Sequence, residues 1–320
     1  GAVEAIGLSE ADEIHATTLE NREAVYRFFQ DTLDRPGDPD EEAVTLIDPV
    51  ELRITQSGQV ATSLGGKTMF DLVQDELAPE LARLKAARAR KTPAETAELL
   101  AAARDVAGYE PPSPAPSVFT GRYHRKGYVV ERYFLDTPGY PLPLLLFVPE
   151  GSGPHPAIVY LASEGKQAHA ERGGRLEELV REGHVVLAPD VVGLGELGPG
   201  AYQGHSFEVR VGRGSYAVWH MALFVGRSLI GMRTADVARC VAFLRGRGDV
   251  DGERISLIGE RGLATVALHA AAFDEAVESV ALVGPLLSYE ARARSRYNDP
   301  GFIHETVAGA LPVYDLPDLV

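Results

Sequence analysis

The chain has 320 residues, 45% of them hydrophobic and 24% charged, which is enough apolar material for one large domain or two modest ones. A formal charge of −15 and an isoelectric point near 5.1 argue against a nucleic-acid partner, because phosphate binding needs clustered Lys and Arg. No apolar run approaches the roughly 20 residues that span a bilayer, and no signal peptide is visible, so no membrane partner and, by default, a soluble cytoplasmic protein are expected. The single cysteine, Cys240, excludes an internal disulfide and a cysteine-based metal site; inside a helical pattern it reads as a small buried hydrophobe.

In chain order, residues 3–8 suggest a short strand, and a polar loop over 9–18 carries His15. An amphipathic helix follows over 19–33, stopped by the Pro- and Gly-containing linker 35–40. Loose alternation over 50–63 suggests a strand or hairpin. Helices are expected over 67–90 and 93–107, the second capped by Thr92 with Pro93 next. The basic run 83–91 reads as the wet face of the first. A second linker, 111–116, closes this part. Strands over 127–135 and 141–148 flank a turn at 136–139. Apolar strands 157–162 and 185–189 then bracket a helix over 175–182, a βαβ rhythm that signals a parallel sheet covered on both faces. The Gly-rich and aromatic stretch 191–227 reads as an excursion over the sheet. A helix over 232–245 leads to a strand at Ile255, a glycine-flanked turn, a helix over 262–273 and a strand over 280–284.

That last strand, turn and helix (Ile255-Ser256-Leu257-Ile258-Gly259-Glu260-Arg261-Gly262-Leu263-Ala264) has the shape of a nucleophile elbow, G-x-S-x-G, with Arg261 at the serine position. Together with Pro143–Pro149, Pro156–Leu161, Val185–Glu196 and Gly231–Val237, it resembles the acetyl xylan esterase and dienelactone hydrolase branch of the α/β-hydrolase superfamily over residues 118–319. The resemblance implies a doubly wound, mostly parallel α/β sheet, incomplete at its C-terminal end, behind an N-terminal helical segment. It also implies carboxylic ester hydrolysis at the family level, with no cofactor or metal and with an ester or carbohydrate-derived small molecule as partner. The loop after residue 161, with Ser163, Glu164 and Gly165, stands where the family places its oxyanion hole. Glu164 would there oppose a developing negative charge.

The family's acid and histidine follow later strands. By the same resemblance, residues 1–36, with His15, look like the end of a hydrolase module. Residues 37–117 then form a linker and helical segment, and 118–320 a hydrolase-like domain lacking its last strands. This organisation implies a tandem protein or a permuted chain, with a complementary module or a second copy as partner.

A guanidinium stays protonated, so Arg261 is not a nucleophile. Glu260 is either an alternative nucleophile or the partner of an arginine, and His15 is either a shared catalytic histidine or an exposed loop imidazole. Ser256 and Ser288 read as structural, and His269 as packed on its helix. His220, His269 and His304 have no partners at metal-ligand spacing. Tyr289 with Arg292, Arg294 and Arg296 follows the last strand, where such folds bind ligands, either as a cationic pocket with Arg261 or as a charged surface helix. Two functions follow: an esterase family member with a degenerate site of its own, or an inactive pseudo-hydrolase that binds a ligand or braces a partner.

Overall fold

The computed structural model describes residues 6–88, 92–198, 216–298 and 300–320, in two compact units, 1–68 and 69–320. In the first unit, α1 (Leu19–Thr32) starts at Thr18, whose side chain accepts a hydrogen bond from the Asn21 N–H. Arg22 grips Glu41 through Nε and Nη2, each at 2.6 Å, and Tyr26 donates to the same carboxylate at 2.8 Å. These contacts hold the Glu41 carboxyl down at about 2. Two expectations differ from the structure over the described residues. Residues 6–8 of the proposed first strand have no regular structure, and residues 1–5 lie outside the described residues. The stretch 50–63 is turns leading into α2 (Val60–Leu64), which Gly65 ends at φ +66°. Leu52 and Ile54 alternate, but both are exposed and no strand pairs with them, and a lone strand has no ladder to stabilise it.

The second unit opens with α3 (Met69–Arg88) and α4 (Pro93–Val106). Thr92 and Glu95 form a reciprocal capping box at the start of α4, with Pro93 at a position that needs no amide donor. Seven strands then make one sheet in the order β1-β2-β3-β5-β4-β6-β7. They are β1 (Ser117–Arg125), β2 (Tyr128–Thr137), β3 (Tyr140–Pro149), β4 (His155–Leu161), β5 (Val185–Pro189), β6 (Val250–Glu260) and β7 (Ser279–Val283). The first three are antiparallel to their neighbours, and β3 pairs antiparallel with β5; β5, β4, β6 and β7 run parallel. Between them come α5 (Arg175–Arg181), α6 (Tyr216–Phe224), α7 (Leu229–Arg245) and α8 (Gly262–Phe273), and after β7 comes α9 (Tyr289–Ala293).

The central strands read as unbroken apolar runs because both faces of the sheet are covered. Successive residues point to opposite sides. Val159, Leu161, Leu187 and Leu257 join the core that also holds residues of α7 and α8, whereas Ile158, Tyr160, Val186 and Ala188 pack with residues of α5. Burying each such aliphatic side chain is worth about 1.5–3 kcal/mol. Cys240 sits fully buried in α7, as its surroundings in the sequence suggest. Strand β1 lies at one edge of the sheet and is mostly exposed; it has no counterpart in the sequence reading, because an edge strand with Gly121 in its middle lacks an apolar signature. No described helix is long and apolar enough to cross a membrane.

Candidate active-site cleft

Three loops at the carboxyl ends of β4, β5 and β6 meet at a cleft of about 380 Å³. Its lining includes Ser163 and Glu164 after β4, Leu194 after β5, and Arg261, Gly262 and Leu263 after β6. Arg233 of α7 and the segment with Gly301, His304 and Glu305 complete it.

Arg261 stands at the crest between β6 and α8, with φ +50° and ψ −120°. That positive φ is unfavourable for a side chain other than glycine and stores about 1–3 kcal/mol. The surroundings impose it. The Arg261 N–H donates to the Val283 carbonyl at 2.8 Å, and Gly259 lets α8 sit close against β6. A Cβ at 259 would lie 2.6 Å from the Ala267 Cβ and 2.8 Å from the Leu263 carbonyl oxygen. The amides of Gly262 and Leu263, in the first turn of α8, have no intrahelical acceptor. A Cβ at 262 would stand 3.8 Å from Ser163 Oγ and 3.5 Å from Glu305 Oε1, so a hydroxyl and a carboxylate flank that turn.

The strand order and crossovers, the strained crest and the cleft above it together decide the architecture. The fold is that of an α/β hydrolase. Among solved structures, one similar to this chain is a Bacteroides fragilis NCTC 9343 protein assigned as an acetyl xylan esterase. It has a TM-score of 0.63 and 16% identity, covering 80% of this chain and 73% of that one. Acetyl xylan esterase 1 from Thermoanaerobacterium sp. JW/SL YS485 gives 0.45 at 16% identity, over 70% of this chain and 74% of its own. A glucuronoyl esterase from Solibacter usitatus gives 0.42 at 16%, over 58% and 56%. No protein-family model matches the sequence, and neither does any curated protein.

Around the hydrolase crest, the residues singled out in the sequence separate. Glu260 does not pair with an arginine: its Oε1 accepts from the Tyr160 hydroxyl, and its Oε2 lies 3.3 Å from His169 Nε2. It is the last residue of β6, and side chains on a strand alternate between faces, so it leaves the cleft to its neighbour. Gly165 lies behind Ser163 and Glu164 at φ +88°, where a Cβ would come 2.5 Å from Asp190 Oδ1. Tyr289, the first residue of α9, is buried and lines a different cavity. Arg292 reaches Glu305 at 3.1 Å, Arg294 reaches Glu290 at 2.8 Å, and Arg296 reaches Asp71 at 3.4 Å. Arg294 and Arg296 thus face carboxylates outside the cleft, whereas Arg292 holds Glu305, a residue of the cleft wall. His15 is exposed on its loop in the first unit. Ser288 caps α9, and Ser256 bonds Ser279 across β6 and β7 at 2.9 Å, both structural roles.

Three cleft residues carried no role in the sequence reading: Arg233, His304 and Glu305. Arg233 is 2% exposed; its Nε donates to the Val192 carbonyl at 3.1 Å, and burial lowers its pKa to about 10, so it remains a cation. One helical turn on, Asp236 is fully buried. It accepts from Tyr140 Oη at 2.7 Å, the Val192 N–H at 3.0 Å and Arg239 Nη1 at 2.9 Å. Arg233, Asp236 and Arg239, spaced three apart on one helix, were the available signal, because charge is buried only where it has partners.

Beneath the cleft, His269 is wholly buried, with Nδ1 2.7 Å from the Thr265 carbonyl and Nε2 2.8 Å from Tyr314 Oη. Nδ1 therefore carries the proton and Nε2 accepts from tyrosine. Burial holds its pKa down at about 4, a neutral packed residue and not a base for the cleft. Among the described residues, no group of three or more His, Cys, Asp or Glu is placed to hold a metal ion.

Proposed function

We propose that this chain derives from the carboxylic ester hydrolases of carbohydrate-esterase type, and that its own cleft binds a small ester or carbohydrate-derived molecule without cleaving it. One observation carries this reading: the crest position from which such a fold launches its attack holds Arg261, a donor-only cation that never becomes a nucleophile. The neighbouring carboxylate of Glu260 is engaged by Tyr160 and His169. Arg261, Arg233 and the open amides of α8 offer hydrogen-bond donors to a ligand oxygen, and Leu194 and Leu263 offer apolar contact. On this reading, turnover of the family's kind would need a nucleophile from somewhere other than residue 261.

A second reading rests on Ser163 and His304, which line the same cleft together with Glu305. These are the residue types of a hydrolytic triad, displaced from the crest, with Ser163 as nucleophile and His304 as base. Incubating the full chain with p-nitrophenyl acetate and with a serine-directed fluorophosphonate separates the two. The binding reading expects no turnover above buffer and no adduct. A stoichiometric adduct on Ser163, with turnover abolished by Ser163→Ala, would replace it with the second.

A further inference from the structure

A cavity of about 260 Å³ lies between the β1–β2 turn and α5, walled by Arg125, Lys126, Tyr128, Arg172, Glu177 and Arg181. None of these residues lines the cleft at Arg261. Four of the six are cations, on a chain whose 46 Asp and Glu outnumber its 31 Lys and Arg. The one carboxylate among them is already engaged. Glu177 Oε1 accepts from Arg181 Nε at 2.8 Å and Nη2 at 2.6 Å, and Oε2 accepts from the Tyr128 hydroxyl at 2.9 Å and the Gly173 N–H at 3.1 Å. Arg181, with the Gly173 amide and Tyr128, holds the Glu177 carboxyl down at about 2. Tyr128, fully buried, fixes the floor. Arg125 Nη1 donates to its hydroxyl at 3.0 Å and to the Ala170 carbonyl at 3.1 Å, two uncharged acceptors that orient this guanidinium without neutralising it. Arg125 and Arg181 stand 5.8 and 5.5 Å from the centre of the tyrosine ring. A Cβ at Gly127 would lie 3.5 Å from Arg181 Nη1, so this arginine reaches across to the turn that carries Lys126. Among the described residues, Arg125, Lys126 and Arg172 make no ion pair. Like charges gathered in this way repel one another, a cost that a bound anion reverses.

We propose that this cavity binds the tetrahedral dianion of a small phosphate or sulfate ester, with Arg125, Lys126 and Arg172 supplying the charge. Three unpaired cations call for a guest with more than one negative charge, and charge-assisted hydrogen bonds are the strong ones. A guanidinium offers its N–H groups as a planar fork that matches phosphate-type oxygens two at a time, and an ammonium adds a point charge. The volume lies just below the roughly 300–1,000 Å³ of drug-sized pockets, which suits a small anionic group. The proposal does not depend on whether the cleft at Arg261 hydrolyses anything.

Isothermal titration of the full chain in low-salt buffer at pH 8, where phosphate is a dianion, tests it with inorganic phosphate, sulfate and, at matched ionic strength, acetate. Phosphate or sulfate is expected to saturate one site, and acetate, with a single charge, to bind at least about fivefold more weakly. A preference between the two dianions assigns the ester to one or the other, and equal binding assigns the site to their shared shape and charge. Lys126→Gln and Arg172→Gln are each expected to weaken the dianion about fivefold, the worth of one exposed charge pair, with an unchanged circular dichroism spectrum. Arg254→Gln removes an exposed cation on β6 and is expected to leave the affinity as it is, which separates a site from the effect of net charge. Absence of saturable binding by either dianion, acetate binding as tightly, full affinity in both Lys126→Gln and Arg172→Gln, or an equal loss in Arg254→Gln would each overturn the proposal.

Discussion

The loops after β5 and β6 leave neighbouring parts of one sheet, and they handle charge in opposite ways. After β5, Asp190 is 1% exposed and bonded on all sides. It accepts from the Lys166 N–H at 2.7 Å, Lys166 Nζ at 2.5 Å and the Glu196 N–H at 2.9 Å, while Lys166 Nζ also bonds Glu196. After β6, Arg261 is exposed at the mouth of the cleft, and its backbone, not its side chain, is what the surroundings hold. The first loop uses charge to fix the β4 and β5 loops together. The second has a rigid main chain and a guanidinium free to meet a ligand. Burial with complete partnering thus goes with the ion that holds loops together, and exposure on a strained backbone with the one proposed to meet a ligand.

The largest expected effect tests the structural side of that contrast. Asp190→Ala leaves the buried Lys166 ammonium with only the more exposed Glu196 as a partner, so the folding free energy should drop by about 3 kcal/mol in urea unfolding. A loss below 1 kcal/mol would mean the network is not holding the loops. A smaller effect concerns His269, neutral in the folded protein down to about pH 4, whereas an exposed histidine takes up a proton near 6.5. Between those values the unfolded chain binds more protons, so stability falls as pH falls. The loss through this residue should be about 2 kcal/mol between pH 7 and pH 5. Unfolding His269→Gln at both pH values should give a shallower decline than the parent, and equal slopes would contradict the assignment. The smallest effect is at the crest. Arg261→Gly relieves the positive φ but gives the unfolded chain more freedom, for a net gain of about 1 kcal/mol read as a higher melting temperature. If this variant melts lower, the guanidinium contributes to stability and the contrast between the two loops weakens.

The sheet was legible because its central strands, such as Val185–Pro189, are buried on both faces and so spell continuous apolar runs. The crest was legible because Gly259 and Gly262 bracket it, and only small residues allow strand and helix so close. Strand β1 was not, since its exposed edge position asks little of its side chains. Much of the cleft depends on long-range geometry that no local pattern records. Glu305 sits by the first turn of α8 although 43 positions separate it from Gly262 in the chain, and Glu260 meets His169 across 91 positions. Tyr289 illustrates the converse: its place after β7 suggested a ligand at the sheet's edge, but packing of Val307, Ala310 and Tyr314 around it sets its depth.

The close seat depends on glycine at 259 and not on residue 261, and the bond from the Arg261 amide to Val283 uses an N–H that every residue but proline possesses. Exchange of the side chain at 261 therefore leaves the path of the peptide untouched. The side chain at this summit can therefore change without the fold having to change with it.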